Sequence, residues 1–421
     1  MAKKVCVIGG ANIDINATSS AVFRHGDSNP GKVRVSWGGV GRNIAHNLAL
    51  LGDEVELLTI FGGGIFAPVI AKACSDLGIG TARCEIAGAV DGIGVEGRSG
   101  APDGDGAADG SGAANAFFVA VNNCDGELIG GVADMKATDG ITPEWLAARI
   151  EAINGRAKGT EEVIAARGEQ AGAGEGEEGE VDKAGEAGKA GEAEEAGDAG
   201  KGDGPDAVVV DANVPVEAIA WLIDNCEKPL YIDAVSVAKA GKIRQAVAAS
   251  RRKKFFALKC NALEYEALAG TAEAERGGAK DGTAGKAFGV ETAKDAIGAE
   301  KAKDAIGAEK TKDAIEAEKA KDAIGAEKAK DAIEAERIYV TAGAKGLRVI
   351  AEGQERDFPA LPANVRNVTG GGDALLAGIV HAGPEASIEK SARAGLLCAK
   401  CAVESEDAVS SEIAKFRERL G

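Results

Sequence analysis

The chain has 421 residues, 45% of them apolar, but its 60 glycines against three tyrosines mean that some stretches lack the large side chains needed for a core. Its formal net charge of −18 excludes sequence-independent binding to nucleic acid or to an anionic membrane, both of which need a basic surface. No run approaches the ~18 consecutive apolar residues of a membrane span, and the β-prone run Val5-Cys6-Val7-Ile8 leaves no room before it for a secretory leader, so a soluble, cytoplasmic protein is expected.

In chain order, a strand at 4–9 leads into Gly9-Gly10-Ala11-Asn12-Ile13-Asp14, which places an amide and a carboxylate just beyond the C-terminal end of a strand, where open α/β sheets bind ligands. An Asp in that position also serves as a turn or cap residue. Next, Gly38-Gly39-Val40-Gly41-Arg42-Asn43 opens a helix at 41–51, with glycines that let the backbone approach a ligand or simply turn the chain. A strand at 55–60 and a helix at 66–77 follow. The segment 96–112 is Gly/Ala/Asp-rich without periodicity and reads as a flexible loop. Residues 115–133 read as a β-hairpin around Asn123-Cys124-Asp125-Gly126; in an otherwise alternating pattern this predicts a lid, near 12–40 and 113–135, that either seals one site or pairs with a second subunit as a homodimer.

The segment 168–205 holds twelve acidic residues against three lysines, with Val181 as its only large aliphatic residue, and is expected to be disordered. Strands at 207–211 and 229–233 with a helix at 215–225 between them resume the alternation, which implies parallel βαβ units. After a strand at 255–258 comes Lys259-Cys260-Asn261-Ala262-Leu263-Glu264, opening a helix at 262–268. Asn261 and Glu264 share one helical face, so they form either an oxygen-ligand pair for Mg²⁺ or a capping box, and the two roles are compatible. From 294 to 337 the unit K-D-A-I-[GE]-A-E-[KR] recurs every nine residues; this is 2.5 helical turns, so successive isoleucines face opposite sides and a solvated helical spacer over 271–336 is expected.

Strands at 338–341 and 347–350 flank Thr341-Ala342-Gly343-Ala344-Lys345-Gly346, a turn able to wrap a nucleotide. Then Asn367-Val368-Thr369-Gly370-Gly371-Gly372-Asp373 opens a helix at 372–382. Three glycines present consecutive backbone N–H groups at a helix N-terminus, where an anion is stabilised, and Asp373 stands beside that anion site as a candidate base. The last helix, 387–403, carries Cys398 and Cys401, which read as buried thiols rather than zinc ligands because no second pair or histidine accompanies them. Without the three low-complexity stretches 300 residues remain, the size of one large α/β domain.

These motifs, in this order, resemble the ribokinase-like (PfkB) carbohydrate kinase family. The runs Asp27-Ser28-Asn29-Pro30-Gly31-Lys32 and Gly38 through Gly52 are similar to its pseudouridine kinase branch. The resemblance implies a ribokinase-like α/β fold, a mostly parallel central sheet flanked by helices with a small β lid, and ATP-dependent phosphorylation of the 5′-hydroxyl of a nucleoside such as pseudouridine. It implies that Asn12, Asp14, Gly39 and Asn43 bind the substrate, that Lys259, Thr341, Gly343 and Gly346 bind ATP, and that Asn261 and Glu264 organise Mg²⁺. By the same resemblance Gly370, Gly371 and Gly372 form the anion hole and Asp373 is the catalytic base. Asn367 stands where the family commonly has Asp near a monovalent-cation site, which argues against K⁺ activation. The run Phe61-Gly62-Gly63-Gly64-Ile65-Phe66-Ala67 lacks the family's Gly-x-Asp, which leaves open a kinase for another nucleoside or sugar, or a nucleotide-binding protein that turns over poorly.

Overall fold

The computed structural model describes residues 2–62, 65–85, 115–155, 204–268 and 333–420. The expected loop 96–112 and nearly all of the acidic segment 168–205 and the repeat region 271–336 lie outside these residues.

Among the described residues the strands are β1 Lys4–Ile8, β2 Asn12–Ser19, β3 Gly31–Gly38, β4 Glu54–Leu58, β5 Ala116–Asn122, β6 Leu128–Asp134, β7 Ala207–Asp211, β8 Leu230–Asp233, β9 Lys254–Asn261, β10 Glu334–Thr341, β11 Leu347–Ala351 and β12 Gln354–Phe358. The α-helices are α1 Val40–Leu51, α2 Ala67–Asp76, α3 Pro143–Ala147, α4 Ile150–Asn154, α5 Val216–Asn225, α6 Val237–Ala249, α7 Ala262–Leu268, α8 Gly371–Ala382, α9 Ile388–Val403 and the short α10 Arg417–Leu420. The main sheet has eight strands in the order β12-β11-β10-β9-β8-β7-β1-β4. All neighbours from β4 to β10 are parallel, and β11 and β12 extend the sheet as an antiparallel edge.

The sequence of β7, Ala-Val-Val-Val-Asp, is buried at every position because helices cover both faces of the sheet. Even-numbered residues Ile8, Val208, Val210, Ile232, Leu258 and Ile338 pack in one core with Ile219 and Leu222 of α5 and Ile243 of α6. Odd-numbered Val5, Val7, Val209, Tyr231, Ala257 and Tyr339 pack on the other side with Ile44 and Leu48 of α1 and Leu375, Leu376 and Ile379 of α8. On α1 the buried residues Ile44, Leu48 and Leu51 recur at helical spacing, and Gly52, in the left-handed conformation, ends the helix by donating to Ala49 and Leu48 carbonyls. Cys398 and Cys401 are buried on α9 and all eight cysteines are free. Among the described residues no helix is long and apolar enough to cross a membrane.

A second sheet, β3-β2-β5-β6, rises from the first. β2 and β5 run parallel, and β3 and β6 flank them antiparallel. Its root is anchored by Ile13, Trp37 and Phe117 in the odd-side core, with Phe117 edge-on to Phe66 at 5.7 Å.

Three features depart from the sequence reading. Within the stretch 12–40 expected to belong to the lid, strands β2 and β3 had no separate bounds from the sequence, although Ile13, Ile15, Ala17 and Val33, Val35, Trp37 alternate with period two as strands require. Helix α6 and edge strand β12 were also unassigned; α6 is Ala-rich with a weak apolar stripe, and β12 carries Glu355, Arg356 and Asp357 on an exposed edge. The last repeat unit is a correction: Ile333 is 2% exposed and β10 begins at Glu334, so 333–336 belong to the core and the main sheet rather than to a solvated helix. Parallel pairing of Glu334 with Lys254 and Ala335 with Phe255 overrides the helix propensity of Glu and Ala there.

Candidate active site

The chain order makes β1 a switch point: its neighbours are β4 on one side and β7 on the other, and in such sheets ligands bind outside the C-terminal ends of the strands. Asp211 ends β7 there, 1% exposed. Its Oδ2 accepts the backbone N–H groups of Gly10 (2.9 Å) and Gly41 (2.8 Å), and its Oδ1 accepts that of Asn213 (2.9 Å). A Cβ on Gly9 would collide with this carboxylate, and a Cβ on Gly39, at φ 100°, with the Gly10 carbonyl. One buried carboxylate therefore holds the exit of β1 and the first turn of α1 together.

That clamp sets the side chains that follow. On β2 the Asn12 amide donates to Asp14 Oδ1 at 2.6 Å, and a Cβ on Gly38 would collide with Asp14. Burial pushes the Asp14 carboxyl up from its ordinary range, with Asn12 and the Arg42 guanidinium opposing. In the first turn of α1, Asn43 Nδ2 donates to Asp373 Oδ2 at 3.0 Å.

Asp373 lies in the first turn of α8, which opens at Gly370 with φ 81°, a position where a Cβ would collide with the Ala408 carbonyl. The N–H groups of a helical first turn have no acceptor within the helix and carry partial positive charge, so the amides of residues 370–373 are groups that could receive an anion. Asp373 is half-buried. Burial and then the neighbouring Asp233 push its carboxyl up to about 7; Lys259 and the Asn43 amide oppose the shift and Asp211 adds to it.

Lys259, on β9, places its Nζ 3.1 Å from Asp233, with side chains 9% and 1% exposed, and a Cβ on Gly372 would lie 2.7 Å from that Nζ. Burial works against the ammonium, but Asp233, Asp373 and Glu264 outweigh it and hold its pKa above the usual lysine range. A permanent cation therefore abuts the first turn of α8. A carboxylate that titrates near neutrality, beside helix amides and a fixed cation, is equipped to take a proton from a hydroxyl while charge on a transferring anion is stabilised.

At the ends of the next strands, Asn261 and Glu264 bond reciprocally. Glu264 accepts from the Asn261 backbone (2.8 Å) and amide (2.7 Å), and Asn261 Oδ1 accepts from Glu264 N (2.8 Å). This is the capping box the spacing predicts. Each carboxylate oxygen retains a lone pair, but the described residues hold no group of three or more His, Cys, Asp or Glu placed to hold a metal ion by themselves. Such a donor set fits Mg²⁺, which keeps most of its waters and leans on one carboxylate plus substrate phosphates, and does not fit a protein-only cage. Thr341 pairs with Asn261 across β9 and β10. Gly343 and Gly346 shape the turn beyond it, where Gly346 at φ 105° packs against the Phe358 carbonyl with no room for a side chain.

The structure thus brings together Asn12, Asp14, Gly39 and Asn43 at one end, Lys259 and Gly370 to Asp373 in the middle, and Asn261, Glu264 and Thr341 at the other end, with Gly343 and Gly346 outermost. Sequence reasoning assigned no role to Asp211, Asp233 or Arg42. The first two share a signal, a lone carboxylate closing a wholly apolar strand.

The pfkB family carbohydrate kinase model matches residues 2–94 and 300–415. Pseudouridine kinase of Escherichia coli is 28% identical over 269 residues, 64% of this chain and 61% of that protein. The chain spans between about half and three fifths of the length of the first curated relatives it matches. A carbohydrate kinase from Agrobacterium tumefaciens superposes with a TM-score of 0.57 at 22% identity, covering 99% of this chain and 97% of that one. Arabidopsis thaliana ribokinase, solved with ribose and ATP, superposes with a TM-score of 0.58 at 14% identity, covering 100% and 99%. The fold is ribokinase-like.

Proposed function

Because the chain belongs to the pfkB family of carbohydrate kinases, we propose that it catalyses ATP-dependent phosphorylation of the 5′-hydroxyl of pseudouridine, giving ADP and pseudouridine 5′-phosphate. The observation that carries this reading is the placement of Asp373 in the first turn of α8, held by Asn43 and beside the Lys259 ammonium, with burial pushing its carboxyl up to about 7. Asp373 takes the proton of the attacking hydroxyl. The hydroxyl oxygen bonds to the γ-phosphorus as the bond to the β–γ bridging oxygen breaks, and ADP departs with that electron pair.

Asn43 spends one N–H on Asp373 and one lone pair on Arg42, which leaves one donor and one acceptor, the complement of a sugar hydroxyl. Asp14 accepts from a second hydroxyl. The amides of residues 370–373 and Lys259 hold charge on the transferring group. Mg²⁺, when bound through Asn261, Glu264 and water, neutralises charge on the ATP phosphates.

The second sheet is the lid in this reading. Val35, Ile15, Val119 and Val132 stand in register across its four strands, and Val33, Val35 and Val132 are more than half exposed, which supports a second copy of the chain covering this face as a homodimer.

The test is incubation with MgATP and a panel of pseudouridine, uridine, adenosine and ribose, with products read by mass. The expected outcome is a phosphate on pseudouridine. Transfer to ribose or adenosine but not to pseudouridine overturns the substrate, and ATP binding without transfer to any acceptor overturns the kinase reading. A second acceptor class is favoured by one observation: Phe61-Gly62 beyond β4 supplies no carboxylate to the sugar end.

A further inference from the structure

We propose that Arg42 is a positioning residue for this reaction: it locks the side-chain amide of Asn43 in the one orientation that turns its NH₂ toward Asp373, and so aims the base. The inference rests on the kinase reading above. Arg42 is 7% exposed, and its Nη1 donates to the Trp37 carbonyl at 3.2 Å and to Asn43 Oδ1 at 3.3 Å. Asn43 in turn donates from Nδ2 to Asp373 Oδ2 at 3.0 Å.

The two ends of an asparagine amide have nearly the same shape, and only hydrogen bonds choose between its two flip states. Arginine has five N–H donors and no acceptor, so it accepts Asn43 Oδ1 as a neighbour and rejects Nδ2. In the opposite state Oδ1 would face the Asp373 carboxylate, acceptor against acceptor. The arrangement is costly, since the guanidinium is buried with its Nε among the unpartnered polar atoms, with the Cys74 thiol of α2 and then Asp14 as the groups that favour its charge and no carboxylate of the described residues in ion-pair contact with it. A packing role alone is served by an apolar side chain without that cost.

Asp373 is faced by Asp233 from β8, Asp211 from β7 and Lys259 from β9, none of which reaches it from the side of α1. From α1 its contact is the Asn43 amide, which favours the ionised carboxylate. Releasing that amide therefore moves the titration of Asp373 upward.

The experiment compares wild type with Arg42→Ala, Arg42→Gln and Arg42→Lys. In each protein without substrates, the Asp373 carboxyl is titrated by infrared difference against the same protein carrying Asp373→Asn. Arg42→Ala and Arg42→Gln are expected to raise the midpoint by about one pH unit, the worth of one hydrogen bond to a charged group. Glutamine is informative because it offers an acceptor as well as donors and so permits the flip. In turnover, kcat falls between about tenfold and a hundredfold while KM for ATP stays unchanged, and Arg42→Lys, which keeps donors only, recovers part of the loss. Arg42→Gln carries the test if Arg42→Ala does not fold. A folded variant that titrates as wild type with kcat within about twofold overturns the proposal. Wild-type protein inactive on every acceptor overturns the kinase reading instead, and the infrared titration still decides the role of Arg42.

Discussion

The two sheets of this molecule are built to different rules. The eight-stranded sheet is covered on both faces, and carboxylates close its strands at one end, Asp211 at 1% and Asp233 at 0% exposure. The four-stranded sheet leaves Val33 at 68% and Val132 at 71% exposed and is anchored to the other only at its root. Rigid, dry surroundings are where a carboxyl is shifted far and held in place, so the groups with chemistry belong to the first sheet and its helices. The second sheet contributes Asn12 and Asp14, which in the proposed reaction recognise rather than react. Breaking either side of this division has a distinct signature.

The largest effect belongs to the reacting side. Asp373→Asn is expected to lower kcat by about 10²–10⁴-fold, the usual contribution of a general base, with nucleotide binding by calorimetry nearly intact. Next, Lys259→Met leaves Asp233 buried without its cation and is expected to cost roughly 3–5 kcal/mol, visible as a lowered denaturation midpoint as well as lost turnover. Asp14→Asn tests the recognising side: KM for the acceptor rises about tenfold or more while KM for ATP holds, because one charge-assisted hydrogen bond is weakened. An equal fall in kcat would move Asp14 to the reacting side of the comparison. Smallest of all, Val132→Ser is expected to change the monomer's stability by no more than about 0.5 kcal/mol, yet to shift the solution mass toward monomer if the exposed face joins two copies.

The Asp373 substitution also carries a stability signature with a definite sign. The folded carboxyl is pushed up to about 7 from the ordinary aspartate value of about 3.8, so across that window the folded state holds a proton that the unfolded state has released. Wild-type stability from this group is therefore full at low pH and declines as pH rises through that range. Asp373→Asn removes the decline. Its melting temperature should exceed that of wild type at pH 8, by less at pH 5, and approach it only near pH 4.

What could be read from the chain alone follows the range of the interactions. The positions of Asp373 and Asn43 in first helical turns were legible because each follows its own glycines within a few residues, and helix N-termini announce themselves locally. Asn261 and Glu264 were legible for the same reason. Asp211 was not, because its importance lies in two amides about two hundred residues earlier, at Gly10 and Gly41. Asp233 gains its meaning only when β9 brings Lys259 alongside. The end of the repeat region failed from the opposite direction, since a strong local helix signal at 333–336 yields to pairing with β9. The charged edge strand β12 carries almost no apolar pattern to detect.

The account rests on Asp373 as the base, and the pH dependence of kcat/KM for the phosphorylated acceptor tests it most directly. A base must be ionised to act, so kcat/KM is expected to fall about tenfold per pH unit below a midpoint near 7 and to level above it. In Asp373→Asn the residual activity should lack that limb. A wild-type profile that stays flat from pH 5 to 9, or an Asp373→Asn profile that keeps the same limb, would contradict the assignment.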